Sequence, residues 1–241
     1  MLGSCYGATC PSSLNPQTGK AYQQDFPLIT IRDIVNSHKI LRNHLGIQQI
    51  DILLGGSMGG QQVLEWAIME PTLFKNVIPI ATNAKHSPWG IAFNESQRMA
   101  MEADPTLFSD APYAGHKGLE AARAVAMISY RHYVTYDKSQ QDATSKLDNY
   151  RASSYQKYQG LKLRKRFEPL AYYGLSKSMD SQDVGRNRGG LKKALKKIKA
   201  KTLVISIKTD VLFPPTEQKF IAKHIKIKER RVQHPLHHAK R

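Results

Sequence analysis

The chain has 241 residues, 41% of them hydrophobic, with 36 basic against 19 acidic side chains and a formal net charge of +17. That length and apolar content fit one large domain, or a domain with a sizeable insertion, and exclude a disordered chain. No run of about 18 apolar residues occurs, so no membrane-spanning helix and no membrane partner are expected.

The opening, MLGSCYGATC, lacks the basic-then-apolar layout of a secretory signal. Its two cysteines, Cys5 and Cys10, have no second pair to complete a zinc-ligand set. The expectation is a cytoplasmic protein with free, reduced thiols and no bound metal. The first 26 residues, rich in Gly, Pro, Ser, Asn and Thr, read as a loop. A helix is predicted over 30–45, with Thr30 as N-cap, Asp33 three residues on, and Gly46 as the stop. QIDILL (49–54) reads as a buried strand, the segment after Gly59 as a helix up to Pro71, and NVIPIAT (76–82) as a second buried strand despite Pro79. Helix, strand, glycine turn, helix, strand is the grammar of a parallel, doubly wound sheet.

From residue 88 the pattern changes. FNESQRMAMEA and GLEAARAVAMISYRHYV are helical, and strand signals nearly vanish until KTLVISI (201–207). An excursion of that length is no ordinary connection and reads as a lid-like insertion. LKKALKKIKAK (191–201) places Leu191, Leu195 and Ile198 at i, i+4 and i+7, an amphipathic helix with lysines on its solvated face. No zinc-finger, RRM or KH signature accompanies the basic excess, so no nucleic-acid partner is expected. After 207 come a loop, KTDVLFPP, and a helix opening at Pro215. The predicted organisation is a sheet core at 1–87, a helical insertion at 88–198, and the resumed core at 199–241.

Gly55-Gly56-Ser57-Met58-Gly59 matches G-x-S-x-G between a predicted strand and a predicted helix. In such a turn the serine adopts a strained backbone, and glycines at 55 and 59 remove side chains that would collide with strand and helix. Ser57 is then a nucleophile, with the Met58 N–H at the helix start aimed at the developing oxyanion. The competing reading is a structural or phosphate-cradling glycine turn. It lacks the Lys-Ser/Thr of a Walker loop and the spacing of G-x-G-x-x-G. Asp210 follows the strand TLVISI at the carboxyl edge of the sheet, where an orienting acid belongs. Alone, Asp210 reads first as the cap of the next turn; paired with Ser57 at this topological distance, it reads as the orienting acid. The chain holds four later histidines, His224, His234, His237 and His238.

Together with LGSCYGATCPSSLNPQTGKAY, DFPLITIRDIV, GGSMGGQQVLEWA, NESQRMAMEADP, GLEAARAVAMISYR, SSYQKYQG, DVGRNRGG and SIKTDVLFPP, these motifs make the chain resemble the homoserine O-acetyltransferase family over residues 2 to about 225. The resemblance implies an α/β-hydrolase fold, a mostly parallel sheet with helices on both faces and a helical lid. It implies Ser57 as nucleophile, Asp210 as triad acid, and Arg123 as the group holding the homoserine carboxylate. The implied reaction moves acetyl from acetyl-CoA, a co-substrate rather than a cofactor, to the hydroxyl of L-homoserine, in a homodimer. Arg186 and Arg188 in DVGRNRGG either touch CoA phosphates or form a plain turn. The resemblance further implies a chain partial at both ends. Family members begin about 80 to 90 residues upstream, where the second oxyanion-hole N–H resides. They also carry a GHD-type segment, with the triad histidine and an aspartate for the substrate amine, that HPLHHAKR does not match. The alternatives are an inactive remnant, or a succinyl- or serine-specific transferase or an esterase on the same fold.

Overall fold

The computed structural model describes residues 1–225 and 231–233. The first helix, α1 (Ile31–His44), opens with a capping box: the Thr30 hydroxyl accepts from Asp33 N–H, and the Asp33 carboxylate accepts from Thr30 N–H at 2.9 Å. It closes through Gly46 at φ +66°, where Gly46 N–H donates to Asn43 C=O and Ile47 N–H to Arg42 C=O. Those two bonds satisfy carbonyls the helix leaves open, the pattern of a Schellman stop. Both ends of this helix are thus written locally.

Strand β1 (Ile50–Gly56), helix α2 (Met58–Met69) and strand β2 (Phe74–Ile80) follow. Five helices come next: α3 (Pro88–Glu102), α4 (His116–Ser129), α5 (Tyr133–Gln140), α6 (Arg151–Arg164) and α7 (Pro169–Asp180). The chain then runs through α8 (Leu191–Leu195), β3 (Lys201–Ile205), α9 (Pro215–His224) and β4 (Arg231–Gln233). The four strands form one parallel sheet in the order β1-β2-β3-β4. Between β2 and β3 the paired positions are Asn76–Lys201, Val77–Thr202 and Ile80–Ile205. Pro79, with no N–H to give the ladder, falls in the interval left unpaired. On its other side β1 has no partner among the described residues.

Two compact units emerge from the contacts, and they divide the chain differently from the predicted 1–87, 88–198 and 199–241. The sheet unit comprises Met1, Ile29–Gly90 and the chain from Lys177 onward; the helical unit comprises Leu2–Leu28 and Ile91–Ser176. Tyr6 shows why the first segment joins the helices. Its ring meets Phe167 edge-on at 5.5 Å and its hydroxyl accepts from Arg166 at 2.9 Å, while the Ser12 hydroxyl donates to Glu168 at 2.9 Å. The helix predicted over 191–201 is also shorter. After Leu195 the backbone bonds tighten, Lys197 N–H to Ala194 C=O and Ile198 N–H to Leu195 C=O, so that the chain can enter β3. Of the expected apolar positions Leu195 and Ile198 are buried, with Ala194, in one core with Val63, Leu64, Val77, Val204 and Ile221, while Leu191 is only partly buried against it.

Glu65 on α2 ties the sheet unit together. Its carboxylate is 2% exposed and takes both Nη atoms of Arg188, at 2.7 and 2.6 Å, and Nε of Arg32 at 2.5 Å. Arg188 is therefore committed to an internal ion pair, and DVGRNRGG is a turn built around it. A buried carboxylate is tolerated only when its charge is met in this way. Removing either partner leaves the other uncompensated. Glu65→Ala is expected to destabilise the protein by about 3–5 kcal/mol, read as a lower urea midpoint at unchanged slope.

The helical unit has a core of Met101, Leu107, Leu119, Ala122 and Leu163, with Phe167, Leu170, Tyr172 and Tyr173 packed against it. Tyr173 donates to Glu102 at 2.6 Å, and burial together with that bond pushes its phenol up to about 12. Asp104 organises the entry to α4, accepting from the N–H groups of Thr106, Lys117 and Gly118. Partial burial opposes its charge, but the bond from the Thr106 hydroxyl at 2.7 Å, together with these backbone bonds, prevails and holds the carboxyl below its ordinary 3.8. A depressed native value means that the contribution is complete above the ordinary carboxylate range and fades as pH falls through the native one. Unfolding followed from about pH 5 to pH 2 should therefore show a steeper acid loss for the wild type than for Asp104→Asn.

Candidate active site

Strand β1 ends at Gly56 and α2 begins at Met58, leaving Ser57 alone in the turn at φ +53°, ψ −123°. That left-handed region is strained for any residue with a Cβ and persists only where its surroundings enforce it. They do so here at both ends of the residue. Ser57 N–H donates to Ile80 C=O, the last residue of β2, at 2.9 Å; Ser57 C=O accepts from Gln61 N–H at 3.1 Å and from the Thr82 hydroxyl at 2.8 Å. The side chain stands exposed at the carboxyl edge of the sheet. Among the described residues no hydrogen-bond partner of its hydroxyl is recorded.

The steric expectation holds for one glycine and moves for the other. A Cβ on Gly55 would lie 2.5 Å from the backbone C and O of Gly59, whereas a Cβ on Gly59 would meet nothing within 4 Å. The second crowded position is Gly60, where a Cβ would come within 2.6 Å of the Thr82 side chain. Strand and helix approach each other so closely that Gly59 supplies the obstacle rather than the gap. Met58 takes the first helical position, where its N–H has no intrahelical acceptor and the helix dipole adds positive potential. This is the place an oxyanion donor requires.

Asp210 lies on the loop that follows β3, two strands from Ser57 along the same edge. Its Oδ1 accepts from Leu212 N–H at 2.9 Å and Phe213 N–H at 2.8 Å. Those bonds orient the carboxyl. The indole of Trp89 braces the loop by donating to Val211 C=O at 2.7 Å. Capping and catalysis are compatible for this residue, since the cap is what aims it.

Of the later histidines only His224 is among the described residues. Its Nδ1 lies 2.8 Å from Phe220 C=O within α9, a bond to its own helix. His234, His237 and His238 lie outside the described residues. Among its described residues the sheet unit holds three further histidines, His38, His44 and His86, of which His86 is the buried one. His86 is 2% exposed, tilted against the Phe213 ring, and flanked by Gln61, Asn83 and the Asp180 carboxylate at 3.8 Å. No motif marks it, and its burial makes it a packing element.

Arg123 sits on α4 in the helical unit, half-buried, with its guanidinium over the Tyr130 ring at 5.3 Å. No carboxylate or hydrogen-bond partner of it is recorded among the described residues. Those residues hold no cluster of three or more metal-ligating side chains, and no helix long and apolar enough to cross a membrane.

A family model described as the alpha/beta hydrolase fold matches residues 3–240. The chain belongs to the α/β-hydrolase fold family. Within it, the chain is 52% identical to a homoserine O-acetyltransferase of Cyclobacterium marinum over 224 residues, and 42% identical to one of Trichormus variabilis over 232. Each alignment takes in 93% of this chain but 64% of the relative, so the chain spans less than two thirds of the length of these curated relatives. Among solved structures, a homoserine O-acetyltransferase of Staphylococcus aureus superposes with a TM-score of 0.77 at 26% identity, covering 96% of this chain and 63% of that one. The esterase E22 superposes with a TM-score of 0.80 at 25% identity, covering 90% and 62%. The α/β-hydrolase fold expected from the sequence thus holds.

The crowding at the turn separates two substitutions. Gly55→Ala is expected to cost about 1–3 kcal/mol through overpacking against Gly59. Gly59→Ala, with open space and a helical backbone, should be neutral or stabilising by up to about 1 kcal/mol. Denaturant unfolding of the two variants side by side measures the contrast.

Proposed function

We propose that this chain carries the nucleophile, the acid and the substrate-carboxylate site of a homoserine O-acetyltransferase acting in methionine biosynthesis. The observation that carries the reading is Ser57 held at φ +53° beside the Met58 N–H, in a chain 52% identical to a relative of that name. Ser57 Oγ attacks the thioester carbon of acetyl-CoA. The oxyanion draws on the Met58 N–H, the C–S bond breaks, and the CoA thiol leaves with the proton that the serine gave up. The γ-hydroxyl of L-homoserine then attacks the acetyl-serine, releasing O-acetyl-L-homoserine and restoring Ser57.

Arg123 suits the substrate carboxylate on chemical grounds. A guanidinium lying over a tyrosine ring can offer its N–H groups to a planar anion, and the half-buried setting strengthens the pairing. Exclusion of water from the acetyl-enzyme is part of the same reading. Asp210 orients the imidazole base that such chemistry needs. A cytoplasmic homodimer is part of the same reading.

The likeness to esterase E22 favours a second acceptor, water, on the same acetyl-serine. Mass spectrometry after incubation with acetyl-CoA tests the common step. An added acetyl group on wild type, absent from Ser57→Ala, is expected; no adduct on folded protein sinks the proposal. Adding L-homoserine then separates the acceptors: it should discharge the adduct faster than buffer alone, and equal rates would favour the esterase. Arg123→Ala should raise the homoserine concentration needed for half-maximal discharge about 10- to 100-fold, the usual loss of a charge-assisted pair, with acetylation unchanged.

A further inference from the structure

The neighbouring strand carries a second backbone anomaly. Ala81, immediately after β2, has φ +42°, although alanine gains nothing from the left-handed region. Its N–H donates to Ile205 C=O at 2.9 Å, which pins the kink to β3. The kink brings the next residue, Thr82, back toward β1. Thr82 is fully buried, and its hydroxyl donates to Ser57 C=O at 2.8 Å. The Thr82 carbonyl in turn accepts from Nε2 of Gln218 on α9 at 2.6 Å, and Gln218 is 1% exposed. The Thr82 side chain also occupies the space that a Cβ on Gly60 would need.

Ser57 is therefore gripped from both flanks of the Ala81 kink. Ile80 C=O holds its N–H, and the Thr82 hydroxyl holds its C=O. The helix contributes only the Gln61 bond on that side. A peptide unit anchored at both ends cannot rotate toward the relaxed region without breaking a buried hydrogen bond. Gln218 anchors Thr82 from the helix that follows the Asp210 loop, so the nucleophile and the acid segment share one buried connection.

We propose that Thr82 is a positioning residue for Ser57, its hydroxyl clamping the strained turn and its backbone clamped by Gln218. The inference rests on the reading of Ser57 as nucleophile, yet its geometry is testable apart from any acyl transfer. The first measurement is the rate at which a fluorophosphonate ester phosphonylates Ser57, fluoride being displaced from phosphorus by Oγ. Thr82→Val keeps the shape and removes the hydroxyl. It should slow labelling about 10- to 100-fold, the scale of a displaced reacting group, while Thr82→Ser should return it to within a few-fold of wild type. A valine variant that labels at the wild-type rate, or a serine variant as slow as valine, would overturn the proposal in favour of packing alone.

The second measurement is a stability cycle combining Ser57→Gly with Thr82→Val. Glycine tolerates φ +53° without strain, so the clamp matters less once it is present. The two changes should be non-additive by at least about twofold to threefold in the unfolding constant; additivity overturns the clamp. If wild type fails to label at Ser57, the nucleophile reading falls and the cycle alone decides the role of Thr82.

Discussion

A serine held at φ +53° is the constraint from which the rest of the sheet unit follows. A free serine would leave that region for the relaxed ones, so the surroundings must make the rotation costlier than the strain. They do it with neighbours that have no freedom of their own. The Gly55 and Gly59 backbones are nearly in contact, Gly60 lies against the Thr82 side chain, and Ile80 at the end of β2 and Thr82 just beyond it bond the two ends of the serine. None of this survives if α2 shifts along β1. The Glu65 cluster, which pins α2 to Arg32 of α1 and to the turn carrying Arg188, therefore belongs to the same mechanical problem as the nucleophile.

Charge is distributed to match. The one deeply buried carboxylate of α2 is met by two guanidinium groups, and the lysines of 192–199 stay on the surface over a buried Ala194–Leu195–Ile198 stripe. A net charge of +17 adds repulsion to any compact state, and placing it outside leaves the core bonds undisturbed. Asp210 follows the same economy, as the backbone N–H groups that cap its loop also orient its carboxyl.

What was legible in the sequence was whatever is decided over short distances along the chain. Thr30 with Asp33, Gly46 at the helix stop, and the alternation of β-branched runs with glycine turns act within a few residues, and those elements form where expected; β1, expected to be buried, instead leaves Ile52 58% and Leu54 61% exposed, since nothing among the described residues covers that side of it. The G-x-S-x-G turn is local as well, so Ser57 and Met58 were visible. The failures are all non-local. The first 28 residues go with the helices because of Tyr6 and Ser12, whose partners lie more than 150 residues away in the chain. Helix α8 ends early because β3 must begin. Thr82, Gln218 and the positive φ of Ala81 leave no mark in composition or spacing, since an alanine there announces nothing. Gly59 was assigned a steric duty that proximity transfers to Gly55 and Gly60.

The pairing of β2 with β3 has a kinetic side. These adjacent strands are parted in sequence by the whole of residues 81–200, and a parallel ladder cannot form until that stretch has been brought round. For an unstructured chain, the entropy of closing a loop must be met before the first cross-strand bond rewards it. The helical unit alters that sequence of events. Its core forms from Met101, Leu107, Leu119 and Leu163, all inside the loop, so it can condense while β2 and β3 are still apart. Condensation shortens the effective span and carries the ends of the loop closer together. An insertion with its own core thus shortens the span that β3, and Asp210 behind it, must cross to reach the edge of the sheet.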